Sequence, residues 1–363
     1  MNRSRSSARF SLKKIVSLVI SLGLLALIYW RIDFSRLLPV FAQADPPWVT
    51  LSLAMVVPLT LFTSWRLQQL VPEIGQLGFG EANKLILVAS VLNLVLPSKM
   101  GDIAKAWFLR DRGHLDGALA LSLVVFEKGC DMLSLLLWCA FGLLWVGLAA
   151  TQTGRLFDLR AAEETSDAPG TIVSWVVAHA TMLYSFCFIG VVVLLVLGVL
   201  LLASKKFAAL FFQFARRWAP HKIAVKIEKL ETSWSQMHGY FWSSRARLAK
   251  VVGASIIIWF LHLLQIWMFI VALKAWAPFV ANLALSPLAI LAGLLPLTFA
   301  GVGTRDAALV VCYAPYFDSA TAAALGILCT ARYLLPAIGG LPFAGGYIQR
   351  ARDFATHPAA ASS

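Results

Sequence analysis

Long apolar runs recur along the chain and predict helices that cross a membrane. An α-helix needs about 20 apolar residues to cross the hydrocarbon core of a bilayer, so runs of this order predict one crossing each. The runs cover residues 15–30, 48–65, 116–150, 171–202, 251–273 and 320–348. The first run could also be the core of a signal peptide. No small-residue cleavage site follows it promptly, and Tyr29, Trp30 and Arg31 resemble an interfacial anchor, which favours a retained helix and six full spans.

Two further apolar stretches, residues 82–113 and 286–317, are interrupted near their middle. The interrupting residues are Pro97, Ser98 and Gly101 in the first stretch and Pro296, Gly301 and Gly303 in the second. Proline and glycine release backbone polar groups from helical hydrogen bonds, and within a bilayer those groups must be satisfied by protein or by water in a cavity. Each stretch is therefore predicted to form a re-entrant helical hairpin whose tip is buried in the fold.

The composition indicates the same class of protein. Hydrophobic residues make up 60% of the 363 residues and charged residues only 13%, and the mean hydropathy is +0.77. Soluble domains are about a quarter charged, so the composition excludes a soluble enzyme, a disordered chain and a fibrous repeat. We predict an all-α polytopic bundle that forms one integral-membrane domain over residues 1–350, with a short cytoplasmic tail over residues 351–363.

The net charge of +13 indicates an orientation in the membrane and no nucleic-acid partner, because the basic residues gather beside the apolar runs. Residues 204–250 hold ten Lys or Arg residues and two acids, so the positive-inside rule predicts that they are cytoplasmic. The acidic loop at 151–170 is then external, and both chain termini are cytoplasmic.

The start of the basic segment has the apolar periodicity of a helix, beside a pair of arginines. The apolar residues are Phe207, Leu210, Phe211, Phe214 and Trp218, and the arginines are Arg216 and Arg217. The pattern predicts an amphipathic helix. Two placements are open for it: on the anionic inner leaflet, or packed on the bundle as a solvated linker helix.

The two broken stretches show a weak internal repeat. Gly101 of the first stretch corresponds to Gly303 of the second. Lys128 follows the first glycine by 27 residues and Arg332 follows the second by 29, each in a long apolar helix. In the predicted topology the two hairpins enter the membrane from opposite sides. This is the pattern of an inverted repeat, whose paired broken helices meet near the midplane and form the substrate site in transporters.

Several ionised side chains lie inside the predicted spans. Glu127, Lys128 and Asp131 share one apolar helix, and an ionised side chain near the bilayer centre costs at least about 2.5–3.5 kcal/mol. Two compatible interpretations are open: internal salt bridges that hold helices together, and a polar cavity for a charged headgroup or ion. The candidate substrate-binding residues are Lys99, Asp102, Glu127, Lys128, Asp131, Arg305, Asp306 and Arg332.

The sequence contains no recognised catalytic or metal-binding motif. GxxxxGKS, GxxxxGKT, GxSxG, HExxH and clustered His and Cys ligand sets are all absent. We therefore expect a protein that is not an enzyme and that uses neither a cofactor nor a metal. His262 and Gln265, three residues apart in the fifth span, favour a helix–helix hydrogen bond over a proton relay.

Four short motifs occur in order along the chain. The first comprises Leu96, Pro97, Lys99, Gly101 and Asp102; the second Glu127, Lys128 and Asp131; the third Gly301, Gly303, Arg305 and Asp306; and the last Arg332. The series resembles the membrane domain of the lysylphosphatidylglycerol synthase/flippase family. That family has Leu-Pro-Gly-Arg-x-Gly followed by an acid, then Glu-Arg-x-x-Asp, then Leu-Pro-Gly-Gly-x-Gly-x-Arg-Glu and an Arg-bearing helix. This sequence departs from the pattern at Ser98, Lys128, Phe299, Ala300 and Asp306.

The resemblance covers most of residues 10–350. It implies two re-entrant hairpins in a helical bundle and movement of modified phospholipids between leaflets. The full-length synthases of the family add a cytoplasmic aminoacyltransferase domain, and we expect this chain to be a stand-alone member without one.

Together these patterns predict a flippase-like or scramblase-like protein of the bacterial inner membrane. It would translocate or bind a lipid through a polar cavity inside the membrane. The expected partners are membrane lipids, namely an anionic or modified phospholipid or a polyprenyl-linked lipid, and a homo-oligomer is possible. Two alternatives are a secondary transporter of a small polar solute and a membrane-embedded transferase acting on a lipid-linked substrate.

The predicted orientation can be tested by labelling single cysteines with a membrane-impermeant reagent. We expect a cysteine at position 160 to label from outside the cell and one at position 240 to label only from the cytoplasm, because basic segments stay on the cytoplasmic side. Labelling at 240 from outside, or at 160 only from inside, would refute the orientation.

Overall fold

The computed structural model describes residues 34–72, 77–95, 101–113, 115, 117–153, 179–294 and 303–356. All regular secondary structure in these ranges is helical. The helices are α1 (Phe34–Gln43), α2 (Pro46–Ala54), α3 (Val56–Leu70), α4 (Phe79–Val95), α5 (Gly101–Gly113), α6 (Gly117–Thr153), α7 (Ala180–Ala203), α8 (Lys205–Trp218), α9 (His221–Trp242), α10 (Arg245–Ala272), α11 (Phe279–Leu294), α12 (Thr304–Tyr313) and α13 (Ser319–Thr356).

Five of the described helical segments are long and apolar enough to cross a membrane. They are Pro46–Leu70, Leu119–Leu148, Met182–Ala203, Arg245–Ala272 and Ser319–Tyr347. These segments correspond to five of the six predicted spans, and the remaining one, residues 15–30, lies outside the described residues. The prediction of an all-α polytopic membrane protein is confirmed.

Two pairs of short helices occupy the two broken stretches. Helices α4 and α5 form the first pair and α11 and α12 the second, and each helix has 17 residues or fewer. Helices of this length are shorter than a typical full crossing. The two helices of each pair pack against each other, as the predicted hairpins require. The tips at 96–100 and 295–302, which include Pro97, Lys99 and Gly301, lie outside the described residues.

Glycines allow the second helix of each hairpin to begin where it does. A Cβ atom on Gly101 would lie 2.7 Å from the backbone nitrogen of Asn93 on α4, a separation too short for any side chain. Gly303 precedes α12 with a φ of 100°, a backbone conformation that residues with a Cβ rarely adopt. The predicted importance of both glycines therefore has a steric basis.

The two hairpins pack reciprocally on the long helices of the opposite half. Helix α4 of the first hairpin lies along α13, which follows the second hairpin, and α11 of the second lies along α6, which follows the first. The helices that precede the hairpins, α3 and α10, contact each other. This exchange of partners is the arrangement that an inverted repeat produces.

Helices α8 and α9 occupy the predicted basic segment and form an antiparallel pair at one end of the first half. The ring of Phe241 on α9 stacks on Phe126 of α6 with 4.2 Å between centroids. Trp234, Met237 and Phe241 of α9 belong to the same apolar core as buried residues of α3, α4, α5 and α6. Helix α9 is therefore packed on the helix that carries Glu127, and α8 packs on α9.

The reciprocal packing can be tested at Gly340 of α13. A Cβ atom there would lie 2.7 Å from the carbonyl carbon of Leu87 on α4 and 2.8 Å from a methyl group of Val91, whereas Gly346 on the same helix has no atom within 4 Å. We expect Gly340→Val to lower the free energy of unfolding by about 1–3 kcal/mol through overpacking. Gly346→Val is the matched control, and thermal unfolding in detergent measures both. Equal stability of the two variants would contradict this packing.

Candidate functional site

A cavity of about 260 Å³ lies inside the bundle between the two halves. Helices α3, α4, α5 and α6 line it from the first half, and α10 and α13 line it from the second. Its charged lining residues are Arg66, Asp102, Lys105, Glu127, Lys128, Asp131 and Arg332. The uncharged polar lining residues include Thr60, Thr63, Ser90, Asn93, His262, Gln265, Thr330 and Tyr333. The cavity therefore gathers charges that are far apart in the sequence.

Arg66 is the centre of the charged network. Its guanidinium, 2% exposed, donates to Glu127 at 2.7 Å and to both carboxylate oxygens of Asp131, one of them at 3.3 Å. It also donates to the hydroxyl of Ser255 on α10 at 2.8 Å. Glu127 and Asp131 can share this partner because side chains four residues apart lie on one face of a helix. A planar guanidinium with several donors is suited to bridging two carboxylates.

Two lysines complete the network. Lys105 of α5 lies 2.9 Å from Glu127 and 3.2 Å from Asp102. Lys128 of α6 lies 3.1 Å from Asp102 and 3.5 Å from Asp131. Three cations thus neutralise three carboxylates, and the ion pairs connect α3, α5 and α6. Buried charges of this number are tolerated only when they are paired and hydrogen-bonded.

Lys128 differs from the other cations of the network in its exposure. Its side chain is 43% exposed, against 2% for Arg66 and 3% for Lys105. The two carboxylates that Lys128 contacts each keep another cation: Asp102 keeps Lys105 and Asp131 keeps Arg66. Glu127 likewise has two cation partners, Arg66 and Lys105, so the property that sets Lys128 apart is its exposure.

Arg332 lines the cavity from the second half in a different setting. It is 4% exposed and donates to the backbone oxygen of His262 at 3.3 Å and to the hydroxyl of Tyr333 at 2.9 Å. Within the described part of the chain it pairs with no carboxylate, and its Nε atom has no hydrogen-bond partner. The charged lining of the cavity therefore holds four cations against three carboxylates.

Arg305 and Asp306 do not line the cavity. Arg305 donates to Asp306 at 2.6 Å, to the backbone oxygen of Gly326 at 2.9 Å and to the hydroxyl of Thr330 at 2.7 Å. Asp306 in turn accepts from the backbone nitrogen of Gly303. These contacts fasten the start of α12 to α13, so the structure places the pair in a bracing position. Their predicted role in binding stays a prediction.

The predicted site residues are thus partly brought together. Asp102, Glu127, Lys128, Asp131 and Arg332 line one cavity, Arg305 and Asp306 lie beside it, and Lys99 is outside the described residues. Sequence reasoning missed Arg66, which directly follows the predicted span 48–65, and Lys105. The sequence does carry one signal for them: three carboxylates in an apolar region require more cations than Lys128 alone.

Gln265 makes the expected helix–helix hydrogen bond, donating at 2.7 Å to the backbone oxygen of Ser52. Within the described ranges, no group of three His, Cys, Asp or Glu residues is placed to hold a metal ion.

The fold and the cavity define a polytopic helical membrane protein with a charged internal cavity between two broken-helix pairs. Residues 14–340 match the family described as the lysylphosphatidylglycerol synthase TM region, and the chain belongs to this family. The resemblance seen in the four sequence motifs is therefore confirmed.

Two relatives have curated names. The chain is 26% identical over 322 residues to Glycosyltransferase AglD of Haloferax volcanii, a match that covers 86% of this chain and 50% of that protein. It is 21% identical over 335 residues to UPF0104 membrane protein MJ1595 of Methanocaldococcus jannaschii, covering 90% of this chain and 93% of that protein. The chain therefore spans about half the length of the first relative and nearly all of the second.

The expectation that the chain is not an enzyme is wrong. It depended on the absence of recognised motifs, and a relative aligned over most of this chain is named a glycosyltransferase. Motif searches detect catalytic residues that lie close together in the sequence. Residues that only the fold brings together, such as the charged lining of this cavity, escape such a search.

The structure predicts different stability effects for the cations of the network. We expect Arg66→Met to lower the free energy of unfolding by about 3–5 kcal/mol, because it leaves an uncompensated buried carboxylate. Lys128→Met also removes one cation, but its side chain is 43% exposed against 2% for Arg66, so solvent screens the imbalance and the cost should be smaller, about 1 kcal/mol. Chemical unfolding in detergent measures both.

A double variant tests the physical cause of this difference. Adding Glu127→Gln to Arg66→Met removes one carboxylate and restores the balance of charges, so it should recover part of the lost stability. If the double variant were less stable than Arg66→Met alone, charge imbalance would not be the cause.

Proposed function

We propose that the cavity binds the anionic headgroup of a lipid or lipid-linked molecule and provides its path between the two leaflets. The observation that carries this proposal is the excess of one cation in the cavity lining, with Lys128 and Arg332 contributed by the two halves. A phosphate between them would balance the charge of the lining. Charge-assisted hydrogen bonds to an anion are about twice as strong as neutral ones.

Lys128 is the residue suited to follow a moving headgroup. It is the half-exposed cation of the network, and both carboxylates that it contacts have a second partner. A long, flexible side chain can therefore turn towards a phosphate while Asp102 keeps Lys105 and Asp131 keeps Arg66 as a partner. Arg332 is held by the oxygen of His262 and the hydroxyl of Tyr333, and it would act as the fixed cation.

The cavity size favours a headgroup over a whole lipid. Sites for drug-sized ligands occupy about 300–1,000 Å³, and the volume here is about 260 Å³. A phosphate with a small polar substituent fits this space, and the acyl or polyprenyl chains would stay in the surrounding hydrocarbon. The polar lining of Thr60, Thr63 and Ser90 offers hydrogen bonds to the substituent.

A second candidate function is transfer chemistry on a lipid-linked substrate in the same cavity. It is favoured by the relative named a glycosyltransferase. Asp102 is the most exposed carboxylate of the network, at 16% against 1% for Glu127, and is therefore the acid or base that a substrate would reach. Integral membrane placement is common to both candidates. The inner bacterial membrane and the cytoplasmic termini belong to the proposal.

Reconstituted vesicles test the transport proposal. The probes are a fluorescent phosphatidylglycerol and a fluorescent polyprenyl phosphate, each followed by its accessibility to an aqueous reductant. We expect the protein to speed the movement of at least one probe between leaflets. Lys128→Met and Arg332→Met should each slow it by about 10-fold or more, since a charge-assisted hydrogen bond contributes about 1.5–3 kcal/mol.

Lys250→Met is the matched control, because Lys250 is an exposed cation on α10 that does not line the cavity, and it should leave the movement unchanged. Full activity in either cavity variant would refute the assignment of the site. A covalent change of the probe, seen by mass spectrometry, would support transfer chemistry instead. If neither probe moves or changes while a small solute is taken up, the cavity serves a solute.

A further inference from the structure

We propose that α8 lies on the surface of the membrane, with its apolar side in the lipid and its basic flank on anionic headgroups. Four large apolar side chains of α8 are exposed: Leu210 at 63%, Phe211 at 51%, Phe214 at 65% and Trp218 at 76%. At about 100° per residue they fall within an arc of about 100° on one side of the helix. A contiguous apolar side of this kind marks an interaction surface.

The opposite side of α8 is already packed on protein. Ala208 is buried, and Phe212 meets Trp234 of α9 edge to face with 6.4 Å between centroids. Arg216 is paired with Glu231 of α9 at 3.3 Å. The bundle therefore covers one side of α8 and leaves the apolar side uncovered, which argues against a linker helix surrounded by solvent.

The chain itself brings α8 to the membrane surface. Helix α7, a candidate span, ends at Ala203, and α8 begins at Lys205. Only Ser204 separates them, and its hydroxyl accepts from the backbone nitrogen of Phe207 as the N-cap of α8. A helix that starts one residue after a span cannot move far from the lipid surface.

The charges of α8 point to an anionic lipid surface as the occupant. The helix contains four basic residues and no acid. Exposed Lys206 and Arg217 lie within about 40° of the apolar arc at 100° per residue, where basic side chains reach headgroups while the helix lies in the interface. Basic residues beside such a helix are attracted to the negative potential of anionic lipid headgroups. A second copy of the chain would bring the same positive charges together.

Local fluorescence labelling tests this placement. Cys187 and Cys312 are replaced first, because the other cysteines are buried, and a single environment-sensitive dye is attached at Phe214→Cys. In vesicles of phosphatidylcholine and phosphatidylglycerol we expect this dye to be quenched by lipids that carry a quencher near the headgroup. A dye at Ser235→Cys, an exposed position on α9, is the matched control and should be quenched only by an aqueous quencher.

Charge reversal tests the role of the basic flank. Lys206→Glu with Arg217→Glu should shift the dye at position 214 towards water in the anionic vesicles. Lys229→Glu with Lys250→Glu makes the same change of net charge at exposed positions outside α8 and should leave the dye in lipid. An aqueous dye at position 214 in the unreversed protein would overturn the proposal. Shielding that disappears on protein dilution would overturn it in favour of contact between two copies.

Discussion

The fold depends on the burial of Arg66 between two carboxylates. Glu127 and Asp131 lie on one face of α6 in the midst of an apolar helix, and each would be costly there without a cation. The cations come from α3 and α5, so neutralising the two carboxylates requires those helices to pack on α6. The hydrogen bond from Arg66 to Ser255 extends the requirement to α10 in the other half. One electrostatic constraint therefore orients four helices, in a setting where apolar packing alone gives little directional preference.

The two halves of the protein share a pattern of helices but differ in their charges. In each half a short broken pair precedes a long helix with one cation facing the cavity, Lys128 or Arg332. The first half surrounds its cation with carboxylates, whereas Asp306 of the second half is bound to Arg305 and does not line the cavity. Arg332 is consequently left to neutral oxygens. The two halves meet at the cavity because α4 packs on α13 and α11 packs on α6. The first half contributes equal numbers of cations and carboxylates, and the second contributes Arg332 without a carboxylate, so the lining has a net positive charge.

Much of this architecture could be predicted from the sequence, because spans and hairpins depend on patterns among neighbouring residues. Apolar runs of sufficient length, and proline or glycine at 97–101 and 296–303, are properties of neighbouring residues. The ion pairs of Lys128 could not be predicted in the same way. Glu127, its neighbour in the sequence, pairs with Arg66 and Lys105. Lys128 itself pairs with Asp102 and Asp131. Adjacent residues on a helix diverge by about 100°, so sequence proximity is a poor guide to an ion pair. Arg66 lies 61 residues from Glu127, a distance at which no local pattern operates.

Stability and binding make different demands on the same charges, and the structure distributes them between different residues. The pairs that fix the helices are buried, so moving Arg66 towards a ligand would leave three carboxylates with two cations in an apolar environment. Two cations facing the cavity contribute less to this packing. Lys128 is the half-exposed member of the network, and Arg332 has no carboxylate partner within the described residues. An anion entering the cavity would therefore meet two cations whose engagement does not dismantle the fold. In a membrane, where an unpaired charge is expensive, this separation is what allows one cluster of charges both to hold the helices together and to exchange a ligand.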